Sequence, residues 1–362
     1  MDPETQRALQ RARRLTSGSL PIDVSWQAIG GLALRVAVDR GYDITSLANG
    51  VAVPEFFDVI DPVDWERLGV EPQAAVAWLE ERDRQNAVYL ELLVRLFARR
   101  LKYRRILGTQ AFATSDQIGP RTLLEHGLLD HDALSSLVVW RKWMMDVDNR
   151  SGQETGYLYD AIVARALGGT AYSSRNSPIR RKPRNEGEES PGRRQVDCVV
   201  EDGDSFYAYE IKIRITDAAS RQGRLNEELS FPGDCRYSNH VPRLLVFDPT
   251  PCATLDLVVE AFNDAGGQEY LGPDAYEHIA ETAGPARADF LRRYVAEPLE
   301  RYEDTIPDFG AGRALADLRL SAVPDEIRLE VAGSQPYVVP REVAPETVIE
   351  ELELFDAYDH DE

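Results

Sequence analysis

Cysteine is scarce in this chain of 362 residues. Its three copies, Cys198, Cys235 and Cys252, lie far apart and form no CxxC pair, so the sequence predicts neither a disulfide framework nor a zinc-binding motif. No run of eighteen apolar residues occurs, which excludes a membrane-spanning helix. The N-terminal segment MDPETQRALQ lacks the apolar stretch of a signal peptide. Together these absences predict a protein of the reducing cytoplasm.

Motifs of several enzyme classes are also missing. The sequence has no GxxxxGKS or GxxxxGKT phosphate-binding loop and no GxGxxG segment after a predicted strand. Neither ATP-driven translocation nor a dinucleotide cofactor is therefore indicated. Only five histidines occur, and none lies in the segment with the strongest motif, so a Ser-His-Asp or Cys-His mechanism is not favoured.

Basic residues are outnumbered, with 41 lysines and arginines against 62 aspartates and glutamates and a formal net charge of −21. The excess is uneven, because the 40 residues from Val323 to Glu362 contain twelve acidic residues and two arginines. The segment from Arg175 to Leu225 has the opposite balance, with eleven basic and nine acidic residues. The net charge therefore does not exclude a nucleic-acid partner, and the local charge permits one.

The hydrophobic pattern divides the chain into four regions. Residues 1–150 are predicted to be mostly helical, residues 151–260 to form an α/β core, residues 261–322 to be helical again, and residues 323–362 to form an acidic tail. The predicted elements of the core are a helix over Gly152–Leu167 ended by Gly168-Gly169, strands over Gln195–Val200 and Phe206–Ile215, a helix over Ala218–Leu229 ended by Pro232-Gly233, and a strand over Arg243–Phe247.

The most informative segment is Val196–Ile215, with the sequence VDCVVEDGDSFYAYEIKIRI. Asp202-Gly203 within it is a strong turn signal for a β-hairpin. A two-residue turn at that position predicts that paired residue numbers sum to 405, which places Asp197 opposite Ala208.

Alternate residues of a strand share a face, so the second strand is expected to present Glu210, Lys212 and Arg214 on one face and mainly apolar residues on the other. In the predicted register Asp197 and Glu210 are diagonal neighbours, about 7–8 Å apart at the backbone, so two carboxylates converge on one cation. Such a pair favours Mg²⁺, which takes oxygen ligands. The ammonium of Lys212 is suited to orienting an attacking water and to offsetting negative charge on a phosphodiester.

A third carboxylate is predicted from the upstream helix. Glu154 is in line with Leu158, Ile162 and Ala166 at helical spacing, which places an acid at the end of the inward-facing apolar stripe. Glu154 is therefore a further candidate for the same site.

These residues resemble the core of the PD-(D/E)xK nucleases. Asp197 is followed, after a spacer of twelve residues, by Glu210-Ile211-Lys212, and Val196 stands where that family usually has proline. The run RQGRLNEELSFPGDC and the strand with VFDPTP resemble type II restriction endonucleases of the ApaLI-like group. The resemblance covers roughly residues 151–251. It implies an α/β fold with a restriction-endonuclease-like core, in which a mixed central sheet is flanked by helices.

The resemblance also implies a role for each matching residue. Asp197 and Glu210 would bind the metal with the Ile211 carbonyl as a further ligand, Lys212 would serve the attacking water, and Glu154 would be an additional acidic residue. The implied enzyme is a magnesium-dependent type II restriction endonuclease. It would act as a homodimer on a short palindromic site in double-stranded DNA, with host DNA protected by a separate methyltransferase.

Two groups of polar residues are candidates for DNA contact. Residues whose donors and acceptors suit base edges in the major groove, and which could equally contact phosphates, are Arg221, Gln222, Arg224 and Asn226. Residues predicted to contact the DNA backbone, which positions the duplex without reading its sequence, are Arg175, Arg180, Arg181, Lys182, Arg184, Arg193 and Arg194.

Other interpretations stay open at the level of sequence. A PD-(D/E)xK enzyme of repair or phage defence would have little sequence preference. A DNA-binding protein with a vestigial metal site would not cleave at all. A D-x12-E-x-K pattern also arises by chance, with Glu210 and Lys212 on a solvated strand face.

Overall fold

The computed structural model describes residues 1–16, 19–51, 53, 63–126, 130–155, 158–183, 189–190, 192–215, 224–305, 317–331 and 334–342. The chain divides into two compact units. The first comprises Met1–Thr16, Pro21–Arg99 and Tyr157–Ile306, and the second comprises Ser17–Leu20, Arg100–Gly156 and Pro307–Glu362. Across the described residues, no helix combines the length and apolar character needed to cross a bilayer.

Helices make up most of the described residues in the N-terminal part of the chain. The helices, in chain order, are α1 Pro3–Ala12, α2 Trp26–Asp39, α3 Thr45–Ala48, α4 Trp65–Leu68, α5 Pro72–Arg82, α6 Gln85–Thr109, α7 Pro120–His126, α8 His131–Thr155, α9 Leu158–Ala166, α10 Arg224–Tyr237, α11 Ala253–Asp264, α12 Pro273–Ala283, α13 Pro285–Leu291 and α14 Glu297–Thr305. Local chemistry fixes several helix ends. The Ser25 side chain, for example, accepts a hydrogen bond from the Ala28 N–H at the start of α2.

The first unit is organised around a five-stranded sheet. The strands found in the described residues are β1 Arg14–Leu15, β2 Ile22–Asp23, β3 Thr170–Tyr172, β4 Val196–Asp202, β5 Ser205–Arg214, β6 Val241–Asp248, β7 Gln268–Leu271, β8 Leu318–Val323, β9 Glu326–Val331 and β10 Tyr337–Pro340. The sheet order is β3-β4-β5-β6-β7. The pairs β3–β4 and β4–β5 are antiparallel, and the pairs β5–β6 and β6–β7 are parallel. The sheet is therefore mixed.

Helices cover both faces of this sheet. On one face α10 and α11 contribute Phe231 and Phe262 to a core that includes Ala208 and Val246. On the other face α12 packs through His278, whose Nε2 is 2.8 Å from the hydroxyl of Tyr209. The two parallel connections each contain a helix, as parallel strands require. The predicted α/β fold class, a mixed central sheet flanked by helices, is confirmed.

Helix boundaries in the core follow the glycine signals only in part. Gly168 adopts a φ of 78° and, with Gly169, closes α9 by donating to carbonyls of its last turn. The prediction that Pro232-Gly233 ends the next helix is wrong, because α10 continues through Pro232 to Tyr237. The burial of Phe231 and Cys235 on either side of that proline explains why packing outweighs the lost hydrogen bond.

Strand β7 was not predicted.

The register of the β4–β5 hairpin differs from the prediction. Asp202 pairs with Ser205 and Cys198 with Tyr209, so the turn is Gly203-Asp204 and the predicted register is wrong by two residues. Gly203 has a φ of 58°, whereas the φ of Asp204 is not positive. A type II′ turn needs positive φ only at its first central residue, while a type I′ turn needs it at both. Glycine therefore takes the first position of the turn.

The second unit contains a small sheet of its own. Strands β8, β9 and β10 pair antiparallel in the order β10-β9-β8. Ile327 and Val339 from this sheet are buried against Ile106 of α6 and Trp143 of α8. The segment predicted as an acidic tail therefore begins with two strands, and its remainder after residue 342 lies outside the described residues.

Candidate active site

Glu210 and Lys212 lie side by side on β5. Their i, i+2 spacing directs both side chains to the face covered by α10, where Lys212 Nζ lies 2.7 Å from Glu210 Oε1. The Glu210 side chain is 12% exposed and that of Lys212 is 27% exposed. The pair is therefore largely shielded from water, which is unlike a solvated strand face.

Asp197 on β4 joins this pair through the backbone of β5. Its Oδ2 accepts a hydrogen bond of 2.9 Å from the N–H of Ile211, the residue between Glu210 and Lys212. Extending the observed β4–β5 register by one residue places Asp197 opposite Glu210. The corrected register thus brings the two carboxylates closer than the diagonal arrangement expected from the sequence.

A fourth charged residue, Glu228, approaches from α10. Its Oε1 lies 3.7 Å from Lys212 Nζ, and its side chain is 13% exposed. Sequence analysis missed Glu228, although a signal was present. Leu225 and Leu229, three residues before it and one after, pack against the core, so helical periodicity places Glu228 on the same inward face.

Electrostatics keep Lys212 protonated. Burial by itself lowers the pKa of the Lys212 amine, but the carboxylates of Glu210, Asp197 and Glu228 outweigh burial and hold this pKa above its ordinary value. Lys212 is therefore an ammonium at neutral pH, suited to orienting a nucleophile or neutralising negative charge.

The donor set suits a hard divalent cation. Among the described residues, no three His, Cys, Asp or Glu side chains form a ready-made metal cage. Mg²⁺, however, is usually held by one or two carboxylates, with water and phosphate oxygens completing its octahedron. Asp197 and Glu210 provide two carboxylates beside the main chain of Ile211. The residues present therefore fit such an ion.

The structure does not describe the side chain of the other predicted acidic residue, Glu154. Glu154 lies near the end of α8, in the second compact unit, and its side chain lies outside the described part of the chain. Its role stays a prediction.

The residues predicted to contact the DNA backbone fall into two environments. Arg180 and Lys182 are exposed, and so is Arg193, whose Nη1 donates to the Ser177 carbonyl. Arg181 is half-buried and pairs with Glu227 on α10 through contacts of 2.9 and 3.0 Å. Arg194 is only 6% exposed. Arg175 is exposed, and Arg184 lies outside the described residues.

The base-reading candidates lie at the start of α10 and just before it. Asn226 is exposed in the first turn of α10. Arg224 is the first residue of α10, but its side chain lies outside the described residues, as do Arg221 and Gln222 entirely. Base recognition by these four residues stays a prediction.

A mixed sheet flanked by helices, with Asp197 on one strand of a hairpin and Glu210 and Lys212 on the other, defines a nuclease of the PD-(D/E)xK class. The model of the ApaLI-like restriction endonuclease family matches residues 66–296. Over 264 residues the chain is 40% identical to the type II restriction enzyme ApaLI of Acetobacter pasteurianus, and the match covers 71% of this chain and 69% of that enzyme. This chain belongs to the ApaLI-like restriction endonuclease family.

The family membership makes the protein a site-specific endonuclease that acts on DNA. Enzymes of this kind generally use divalent metal ions, for which the site has oxygen donors. The family match begins at residue 66, so it includes helices in which the sequence showed no motif. No solved structure matches the chain significantly.

Proposed function

We propose that this enzyme hydrolyses both strands of a short palindromic DNA site with magnesium as its cofactor. It acts as a homodimer in which each subunit cuts one strand, and a separate methyltransferase protects the host site. The observation that supports this proposal most directly is the cluster of Asp197, Glu210 and Lys212 on one hairpin of a chain from a restriction endonuclease family.

Each residue of the cluster has a distinct part in the proposed reaction. Asp197 and Glu210 would hold the magnesium ion with the Ile211 carbonyl, and the ion would supply Lewis-acid chemistry at the phosphate when bound. Lys212 orients the attacking water and offsets the negative charge that develops on the phosphate. The hydrogen bond from the Ile211 N–H fixes the Asp197 carboxylate before DNA arrives. Glu228 adds a further carboxylate 3.7 Å from the Lys212 ammonium.

Alanine substitution tests the assignment. We expect D197A, E210A and K212A each to lower the rate of plasmid cleavage in magnesium by more than about 100-fold, because each removes a group that acts in the transition state. Binding of uncut DNA in EDTA should persist in all three. The control is R121Q, which removes an exposed arginine of an i, i+4 pair with Glu125. Full cleavage by any of the three alanine variants contradicts the assignment.

The pattern of products separates the proposed function from the alternative nuclease. A restriction enzyme converts plasmid DNA into discrete fragments that are the same in every preparation. A repair or phage-defence nuclease of low specificity gives nicks or a smear, and a non-catalytic binding protein leaves the plasmid intact.

A further inference from the structure

The active-site face of β5 carries one more charged residue beyond Lys212. Arg214 follows at the i, i+2 position, about 7 Å along the strand. In the parallel pairing with β6, Lys212 is aligned with Val246 and Arg214 with Asp248. A charge pair therefore adjoins the catalytic cluster at the end of these two strands.

Asp248 is hydrogen-bonded within the Asp-Pro-Thr-Pro turn that ends β6. Its Oδ1 accepts hydrogen bonds from the Thr250 N–H at 3.0 Å and from Thr250 Oγ1 at 2.6 Å. Its Oδ2 lies 3.4 Å from Arg214 Nη1, and the Asp248 side chain is 11% exposed. The turn thus fixes a carboxylate that restrains one nitrogen of the Arg214 guanidinium.

Arg214 remains accessible to a ligand. Its side chain is 45% exposed, and its described contact to Asp248 involves one guanidinium nitrogen. A guanidinium has five N–H donors in a planar fork that matches two phosphate oxygens. Because the guanidinium is this exposed to water, its pair with Asp248 is expected to add little to stability. Stability therefore gives little reason for this pair.

We propose that Arg214 binds a phosphate of the DNA strand that is cut, with Asp248 as its positioning residue. This inference rests on the proposed function of Asp197, Glu210 and Lys212. The carboxylates of that cluster repel an approaching phosphodiester, and Lys212 already contacts Glu210. A second cation on the same strand face compensates for that repulsion and holds the DNA backbone beside the metal site.

DNA binding without divalent cations tests the role of Arg214. We expect R214Q to weaken filter binding of linear plasmid DNA about tenfold and to reduce the slope of log K against log salt by about one, because one phosphate contact is lost. R214K should keep the slope, since a lysine retains the charge. The control R121Q should leave both affinity and slope unchanged. An unchanged slope in a folded R214Q variant overturns the inference.

The positioning role of Asp248 has a separate readout. D248N keeps an oxygen acceptor for Thr250 but removes the negative charge beside Arg214. We expect it to weaken filter binding of DNA and to raise KM about threefold, with little change in kcat or in the thermal unfolding temperature, because Arg214 keeps its charge but loses its fixed orientation. If R214Q does not fold, D248N decides: unchanged DNA affinity and KM overturn the inference, and a selective rise in KM supports it.

Failure of this inference is distinguishable from failure of the proposed function. Normal cleavage by D197A contradicts the metal site itself. An inactive D197A combined with wild-type binding and cleavage by R214Q contradicts only the phosphate contact.

Discussion

At the scale of single residues, the structure separates arginines that share one basic segment of sequence. Arg194, predicted to contact the DNA backbone, donates instead to Asp234 at 2.8 Å and to Ser230 at 2.9 Å, both on α10. Its guanidinium also lies over the ring of Phe231. Arg194 therefore anchors the helix that carries Glu228, and the exposed residues of the segment are the better candidates for phosphate contact.

Replacing Arg194 tests this division. We expect R194A to lower the free energy of unfolding by about 3–5 kcal/mol, because the 6%-exposed Asp234 side chain would remain as a buried charge without this partner. R180A replaces an exposed residue of the same segment and should change the free energy of unfolding by less than about 0.5 kcal/mol. Guanidinium denaturation gives both values. Equal stabilities for the two variants would refute the anchoring role of Arg194.

At the scale of secondary-structure elements, the β4–β5 hairpin explains why part of the candidate site could be predicted. Asp197, Glu210 and Lys212 lie on adjacent strands within sixteen residues of sequence, so alternation and a turn signal bring them together. Glu228 comes from a helix whose docking depends on distant packing. Helical periodicity indicates that Glu228 faces inward, but no local pattern shows that this face of the helix is docked beside Lys212.

The turn of the hairpin shows the limit of local signals. Asp202-Gly203 and Gly203-Asp204 are both good turn dipeptides, and they differ in register by two residues. Such a shift keeps every side chain on its face, so the alternation of apolar residues cannot choose between them. The choice depends on which central position requires a positive φ, which the structure assigns to Gly203.

Gly203 is therefore expected to be sensitive to substitution. A Cβ at Gly203 meets nothing within 4 Å, so any cost arises from the backbone at a φ of 58°. We expect G203A to lower the free energy of unfolding by about 1–3 kcal/mol, measured in urea. G233A is the matched control, because Gly233 in α10 also has open space and has no positive φ. A G203A variant as stable as G233A would argue against the type II′ turn.

At the scale of the whole molecule, the sequence predicted the fold class of the central sheet but not the organisation around it. The second compact unit collects residues from three separated parts of the chain, and such long-range packing has no signature in local periodicity. Strand β9 could not be predicted for a different reason. Its alternation of Glu326, Arg328 and Glu330 with apolar residues was counted as part of an acidic tail. The prediction for residues 323–362 therefore rested on the net charge of the segment and not on the period-two alternation within it.

The proposed dimer would place two active sites on one DNA site. The described chain contains one cluster of Asp197, Glu210 and Lys212, and a palindrome presents two equivalent phosphodiesters related by a two-fold axis. Co-expression of differently tagged wild-type and E210A chains, followed by purification through both tags, yields mixed dimers. We expect these to nick supercoiled plasmid at the recognition site, while doubly tagged wild-type dimers linearise it. Recovery of no doubly tagged species would contradict the dimer. Linearisation by the mixed dimer at the wild-type rate would contradict one active site per strand, because a single intact cluster would then cut both strands.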